Sequence, residues 1–583
     1  MDDGLRSPVL WLFLVAAVIL AAGLGLRDPW PPDEPRFALI AKDMVQGGDW
    51  LIPRVGGVLY PDKPPLFFWF VAGTYAITGS LKVAFLVPAF VSGLVVLWLV
   101  YDLALRLWDR QAALWTGAAL LATFQFPLQM KAGQIDGFLC LWTTLGVYGF
   151  CRHLLLGPDW RWYTAAGFAC GVGVITKGVG FLPFLLFIPW SAAARAKWPL
   201  PAIDARGGKW LLAPVAFVAA VALWLVPMYL ATTVSADPEL LQYRDDILFR
   251  QTVTRYAAAW GHLKPAWYLL TNAVPWLWLP LTLLLPWLVP AWARGLGRKS
   301  AATMLLAGWV LLVLLFFSLS DGKRSVYIFP ALPALALLAG SHLPAIVVRN
   351  GARRLLFAVA LLLGLLPIAA GIGTLADPGR LRAFLAEPAH AATLSWTSIG
   401  IGGTALASLA FFGLRRAAHG FTGVMASFWI AAPLLVYPQI DSTRSGSAIV
   451  DAAAATLQGD EVLGFAGWKE QLLLQWDRPA VHFGYRRSDE AAESRDAARW
   501  LSSDEGNRLV LRGDLVEPCF EAAALRPLGL AHRNHWFLAA GSAVRHACRA
   551  EPGEPATGIV VYDGGEQVKS AIRRPATARS AAR

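Results

Sequence analysis

Long apolar runs recur along this chain, each close to the roughly 20 residues that a helix needs to cross a bilayer. The first covers Pro8 to Leu26, and others begin near Val83, Gln111, Phe138, Trp162, Gly180, Trp210, Trp267, Ala301, Val326, Leu355, Leu394 and Phe421. In lipid every backbone polar group must be satisfied within the protein, and runs of this length do that as helices. The expectation is a mainly α, polytopic membrane protein of about thirteen spans. Short cytoplasmic loops carry the Lys/Arg excess. The turns Arg106–Arg110, Arg152–Arg161, Arg195–Lys209, Arg294–Lys299, Arg349–Arg354 and Arg415–Arg416 fit that rule and place the N-terminus inside. Pro65 to Gly79 is also apolar, but it is short, and counting it as a span breaks the alternation of every later loop. It reads as a helix lying at the outer surface, with Phe67, Phe68 and Trp69 in the interface.

A hydrophobic fraction of 56% and a mean hydropathy of +0.50 exclude an ordinary soluble protein. The net charge of +12 would suggest nucleic acid in a soluble chain. Here many of the cations sit in turns between apolar runs, so membrane orientation and anionic headgroups explain them and no nucleic acid is expected. The first run follows an acidic Met1-Asp2-Asp3 and carries no cleavage site, so it reads as a retained anchor rather than a signal peptide. No internal repeat supports an inverted-repeat transporter.

Hydropathy drops after Pro438. Strand-like runs follow at Glu461–Phe465, Ala480–Phe483, Arg508–Arg512, Trp536–Ala540 and Ile559–Tyr562, with helical stretches at Ser445–Leu457 and Asp489–Leu501. The organisation expected is a membrane-embedded part over 1–438, a small α/β domain over 439–568 on the outer side, and a disordered Ala/Arg/Ser-rich tail over 569–583. No Gly-rich phosphate loop follows any of these strands. Cys140, Cys151 and Cys170 fall in or beside spans and read as small apolar residues. Cys519 and Cys548 read equally well as a disulfide or as two thiols.

The first outer segment, Arg27 to Gly79, is the richest in chemistry. It opens with Asp33-Glu34-Pro35-Arg36-Phe37, passes through Gly48-Asp49-Trp50-Leu51-Ile52-Pro53, and ends with Tyr60-Pro61-Asp62-Lys63-Pro64-Pro65. Carboxylates at a membrane surface are costly to desolvate unless paired or used. Other outer turns add Lys131, Asp136, Lys177, Arg250, Arg255, His262, Lys323 and Arg324. Acids with a surplus of bases suit an anionic substrate, leaving carboxylates for proton transfer or for a divalent metal. Lys177 by itself also reads as a span-end lysine reaching for the interface, and Arg255 and His262 as loop structure.

As a set, these stretches resemble the polyprenyl-phosphate-sugar transferases, integral-membrane enzymes of the GT-C type. That group includes the lipid A aminoarabinose transferases and, more distantly, the protein O-mannosyltransferases. The likeness runs through Asp33-Glu34-x-Arg36-Phe37, Gly-Asp-Trp-Leu-Ile-Pro, Tyr60-x-x-Lys63-Pro64-Pro65, Gln134-Ile135-Asp136, Thr176-Lys177-Gly178, Arg250 to Tyr256, His262-x-x-Pro265 and Lys323-Arg324-x-x-Tyr327. It implies a glycosyltransferase of the bacterial inner membrane whose donor is a polyprenyl-phosphate-linked sugar and whose acceptor is lipid A, another glycan or a protein. It implies catalytic roles for Asp33 and Asp136. It implies donor-phosphate or substrate contacts from Glu34, Arg36, Tyr60, Asp62, Lys63, Lys177, Arg250, Arg255, Lys323 and Arg324. Asp33, Asp62 and His262 are the candidates for a metal, and no other cofactor is implied. Two positions depart from the aminoarabinose enzymes: Asp62 replaces a common glutamate, and Phe37 a frequent tyrosine. A lipid-linked sugar flippase is the reading from another class, but its polar groups would gather near the bilayer midplane rather than at one surface. The topology places everything after Pro438 outside, so a reporter fused there is expected to be active only when it requires export.

Overall fold

A computed structural model describes residues 3–563, apart from 205–206, 236, 250–262, 382–389, 486, 488 and 551–557. The expected tail over 569–583 therefore lies outside the described residues. The molecule is mostly helical. Among the described residues, seven helices are long and apolar enough to cross a membrane: Leu81–Leu107, Ile135–Leu155, Gly208–Ser235, Ala301–Leu319, Asn350–Ala376, His390–Phe412 and Leu414–Ser445. Leu269–Leu277 and Leu281–Gly297 make an eighth if their pair, bent by 101°, is one span. The remaining apolar runs are shorter or broken helices. Pro8–Ala21, Leu182–Arg195 and Ser325–Gly340 are among them, and the last two begin as 3-10 turns containing Pro183 and Pro330. A proline ring removes a backbone donor and crowds the preceding turn, so apolarity alone overstates the continuous helix in these runs.

Close helix packing follows from small residues. Helix Trp160–Lys177 lies against Gly208–Ser235 through Gly167 and Gly171, one helical turn apart. A Cβ at either position would run into the backbone carbonyls of Ala213 or Phe217. This is how membrane helices approach closely where lipid offers no hydrophobic drive.

Three elements after the first helix, α1 (Asp3–Ala21), build the upper end of the molecule. They are α2 (Glu34–Gly47), the antiparallel ribbon β1 (Arg54–Val55) and β2 (Val58–Leu59), and α3 (Leu66–Thr78). In α2, Phe37, Ile40, Ala41 and Met44 recur at helical spacing and are buried. The aromatic start of α3 packs on them: Phe37 meets Phe67 and Phe68 at centroid distances of 5.7 and 5.5 Å.

The C-terminal part forms a six-stranded mixed sheet from β3 (Val462–Ala466), β4 (Ala480–His482), β5 (Asn507–Arg512), β6 (Arg526–Ala531), β7 (Asn534–Ala539) and β8 (Val560–Tyr562). Its order is β6-β7-β5-β3-β4-β8, with β3 parallel to both β4 and β5. Five of these strands coincide with the runs read from the sequence. β6 was not legible because Pro527 and Gly529 break its pattern, and they lie at a register shift against β7. The sheet sits on α2 and the β1–β2 ribbon. Lys42, almost fully buried, donates to the Trp476 carbonyl at 3.3 Å and to the Asp477 carboxylate at 3.2 Å. His482 Nε2 lies 2.8 Å from the Gly56 carbonyl oxygen, and burial pushes this imidazole down to about 4. Cys519 and Cys548 form a disulfide with Cα atoms 5.5 Å apart. Closing that 29-residue separation stabilises the unit by about 3 kcal/mol in the chain-entropy model. Cys519→Ala/Cys548→Ala is therefore expected to lower the unfolding free energy of the C-terminal unit by about that amount, read by denaturant titration in detergent.

Candidate active site

Asp33 is the N-cap of α2, yet its carboxylate does not cap the helix. It turns instead toward Arg324, whose guanidinium reaches it at 3.0 Å across 291 residues of chain. Arg36, one helical turn on, lies 3.9 Å from the same carboxylate. Asp136 occupies the first turn of helix Ile135–Leu155, and Lys177 ends helix Trp160–Lys177. The two form an ion pair, and the Lys177 ammonium sits 5.0 Å from the Tyr327 ring centroid. A lysine at a span end that finds both a carboxylate and an aromatic face is held, not snorkelling.

These residues open onto one cavity of about 710 Å³. Its charged and phenolic lining includes Asp33, Arg36, Tyr60, Asp62, Lys63, Asp136, Lys177 and Arg324. Val221, Trp224, Leu225, Ile247, Leu248 and Phe317 are among its apolar lining. The two acids chosen from sequence, Asp33 and Asp136, thus share a cavity although 103 residues separate them. The space is large enough for a drug-sized or larger ligand, and polar groups converge on it from several elements.

Not every expected residue belongs to it. Glu34 does not line the cavity. It is buried in a bidentate pair with Arg27 (2.5 and 2.8 Å) and also accepts from the Trp30 and Gly133 backbone N–H groups at 2.8 Å. Its neighbour in sequence faces the cavity, but adjacent residues on a helix point about 100° apart. Lys323 is likewise turned away: its ammonium donates to the Lys264 carbonyl at 2.8 Å and to that of Ser320. Arg250, Arg255 and His262 lie outside the described residues. Among the described residues no group of three or more His, Cys, Asp or Glu forms a metal-ligand set, so Asp33 and Asp62 have no third ligand there.

The structure adds residues that no motif spacing pointed to. Glu470, at the start of a short helix in the C-terminal unit, accepts from Arg36 Nε at 2.6 Å. Tyr485 of the same unit lies 5.6 Å from the Arg36 guanidinium and 6.1 Å from the Tyr60 ring. Burial opposes the Arg36 charge, but Glu470, Tyr60 and Tyr485 together outweigh it, so the guanidinium titrates above its ordinary range. A contact across 434 residues leaves no local signal in either segment.

The dolichyl-phosphate-mannose-protein mannosyltransferase family matches residues 62–224. An undecaprenyl phosphate-alpha-4-amino-4-deoxy-L-arabinose arabinosyl transferase from Pseudomonas savastanoi pv. phaseolicola is 32% identical over 338 residues, 57% of this chain and 60% of that protein. The corresponding transferase 2 of Sodalis glossinidius is 30% identical over 58% of this chain and 60% of its own length. The chain thus spans about three fifths of the length of these curated relatives. The crystal structure of ArnT from Cupriavidus metallidurans in the apo state aligns with a TM-score of 0.72 at 20% identity, covering 94% of this chain and all of that one. The form bound to undecaprenyl phosphate aligns at 0.71. The chain resembles the GT-C polyprenyl-phosphate-sugar transferases. Its fold is that of ArnT, and the likeness in fold covers 94% of the chain where this sequence match covers 57%.

The Arg36–Glu470 pair is an ionic link between the cavity and the C-terminal unit. Glu470→Gln keeps the shape but removes the carboxylate charge and leaves a largely buried guanidinium short of its partner. A loss of about 1–3 kcal/mol in unfolding free energy is expected in detergent. Glu517→Gln, in the exposed ion pair with Arg545, is the control and should cost about 1 kcal/mol or less.

Proposed function

We propose that this chain is an integral-membrane glycosyltransferase that moves a sugar from a polyprenyl-phosphate donor to an envelope acceptor, lipid A first. The reaction takes place at the periplasmic face of the bacterial inner membrane. In this reading the bundle has about thirteen spans, the N-terminus is cytoplasmic and the α/β unit is outside. The observation that carries the proposal is the lining of one cavity, which combines cations and carboxylates with apolar side chains. A polyprenyl-phosphate sugar needs both, for its charged headgroup and its hydrocarbon tail.

The chemistry is displacement at the anomeric carbon. An acceptor oxygen forms the new C–O bond, the bond to the donor phosphate breaks, and polyprenyl phosphate leaves with the electron pair. Lys63, Arg36 and Lys177 stabilise the charge that grows on that phosphate, in a cavity where water screens little. If the acceptor is a hydroxyl, Asp33 takes its proton. If it is already a phosphate, no base is needed and Asp33 orients it through Arg324. Asp136 holds Lys177 in place. No nucleotide enters the scheme, since the donor already carries an activated sugar.

The match to the protein mannosyltransferase family over 62–224 favours a second acceptor class, a protein hydroxyl. Mass spectrometry of lipid A, other glycans and secreted proteins from a deletion strain separates the two. A flippase would give no transferred product from a synthetic polyprenyl-phosphate sugar in detergent. In that assay Asp33→Asn is expected to reduce turnover by at least about 100-fold while the protein still melts normally. Lys63→Ala is expected to weaken donor use, raising the donor concentration needed by roughly tenfold or more. Near wild-type turnover of a folded Asp33→Asn variant would remove Asp33 from the mechanism.

A further inference from the structure

Helix α2 has a second charged station two turns beyond Arg36, and the chemistry proposed above does not use it. Asp43 is almost completely buried. It accepts from the phenol of Tyr562 at 2.8 Å and from the Gly57 backbone N–H at 3.3 Å. Tyr562 is fully buried too. It ends β8, the edge strand that pairs with β4, and Asp563 and Tyr75 are the other titratable groups beside it. Among the described residues no cation forms an ion pair with Asp43. The charge of the neighbouring Lys42 favours the anion, but that ammonium is engaged by the Leu474 and Trp476 carbonyls and by Asp477. His482, on β4 opposite Val560, meets the same ribbon through Gly56. The seam between α2, the β1–β2 ribbon and the last strand is therefore closed by a carboxyl group with only neutral donors in contact.

We propose that the Asp43–Tyr562 contact is a protonation-sensitive latch that sets how firmly the C-terminal unit is seated on the helix carrying Asp33 and Arg36. A neutral carboxyl keeps both hydrogen bonds at no electrostatic cost. An ionised one is an anion without a counter-charge in contact, and it gains by opening to water. Burial, opposed in part by the Tyr562 and glycine donors, pushes this carboxyl up to about 7. The sign follows from linkage. A carboxyl whose pKa is higher when seated than when solvated favours the seated state at low pH, and that preference is lost as pH rises through about 7. With a solvated value of about 4, the opening equilibrium should rise about tenfold between pH 6 and pH 8.

The test needs no sugar transfer, so it stands apart from the proposed activity. Amide hydrogen exchange of the full chain in detergent, corrected for the intrinsic rate, reads opening at residues 54–59 and 560–562. Wild type should lose about tenfold in protection at both segments from pH 6 to pH 8. Asp43→Asn, neutral at every pH, should change less than twofold. Tyr562→Phe deletes one donor that favours the anion, so its transition should move to higher pH, a displacement that lost packing alone would not produce. If Asp43→Asn does not fold, the Tyr562→Phe midpoint decides. An unchanged midpoint overturns the latch, and so does a wild type without pH dependence or an Asp43→Asn variant that loses protection as wild type does.

Discussion

Charge placed at the end of an apolar bundle costs several kcal/mol per ion unless an opposite charge meets it, and the upper end of this molecule is arranged around that cost. Four carboxylates and four cations are brought there from distant parts of the chain. Glu34 meets Arg27, Asp33 meets Arg324, Asp136 meets Lys177 and Glu470 meets Arg36. Each pair joins two elements, and two of the four, Asp33–Arg324 and Glu470–Arg36, join elements 291 and 434 residues apart. The pairs hold the elements in register and include five of the ions that line the cavity. Glu34–Arg27 is the most deeply buried and is removed from the cavity, so its part is architectural. The other three border the cavity, where an incoming anion can compete for the cations.

The cavity mixes charged and apolar lining. Helix Gly208–Ser235 contributes Val221, Trp224 and Leu225, and it is the kind of run that lipid selects: apolar all round and little buried within the protein. The charged residues stand at helix ends, in turns and in the segment between α1 and α3, and Phe37, Ile135 and Val174 from the same elements add apolar surface. Trp224 ties helix Gly208–Ser235 to that segment, its indole N–H donating to the Leu51 carbonyl at 3.1 Å. Such a lining offers partners both to a charged head and to a hydrocarbon tail.

Much of this was legible in the sequence, because the signals are local. Apolar runs gave the helices, strand-like runs gave five of six strands, and motif-bearing stretches named Asp33, Lys63, Asp136, Lys177 and Arg324, all of which line the cavity. What was not legible is which neighbour in a dense cluster faces inward. Asp33-Glu34 and Lys323-Arg324 are pairs of like charge, and in each pair one residue lines the cavity while the other is tied to backbone or to a buried partner. Helical phase decides the first pair and turn geometry the second. Spacing within a single motif shows neither. The length of continuous helix within an apolar run is not legible either: the runs holding Pro183 and Pro330 open as 3-10 turns.

Helix α2 shows how a short element can serve both halves of the molecule. Phe37, Ile40, Ala41 and Met44 form a stripe that is buried among apolar neighbours. Arg36 and Asp43 are seven residues apart, two helical turns, and so share another face. Both meet the C-terminal unit, at Glu470 and Tyr562. The end of that face near Asp33 borders the cavity, and the far end lies under the edge strand of the sheet. Among the described residues the C-terminal unit contributes none of the cavity lining, but it holds the helix on which Arg36 and Phe37 stand.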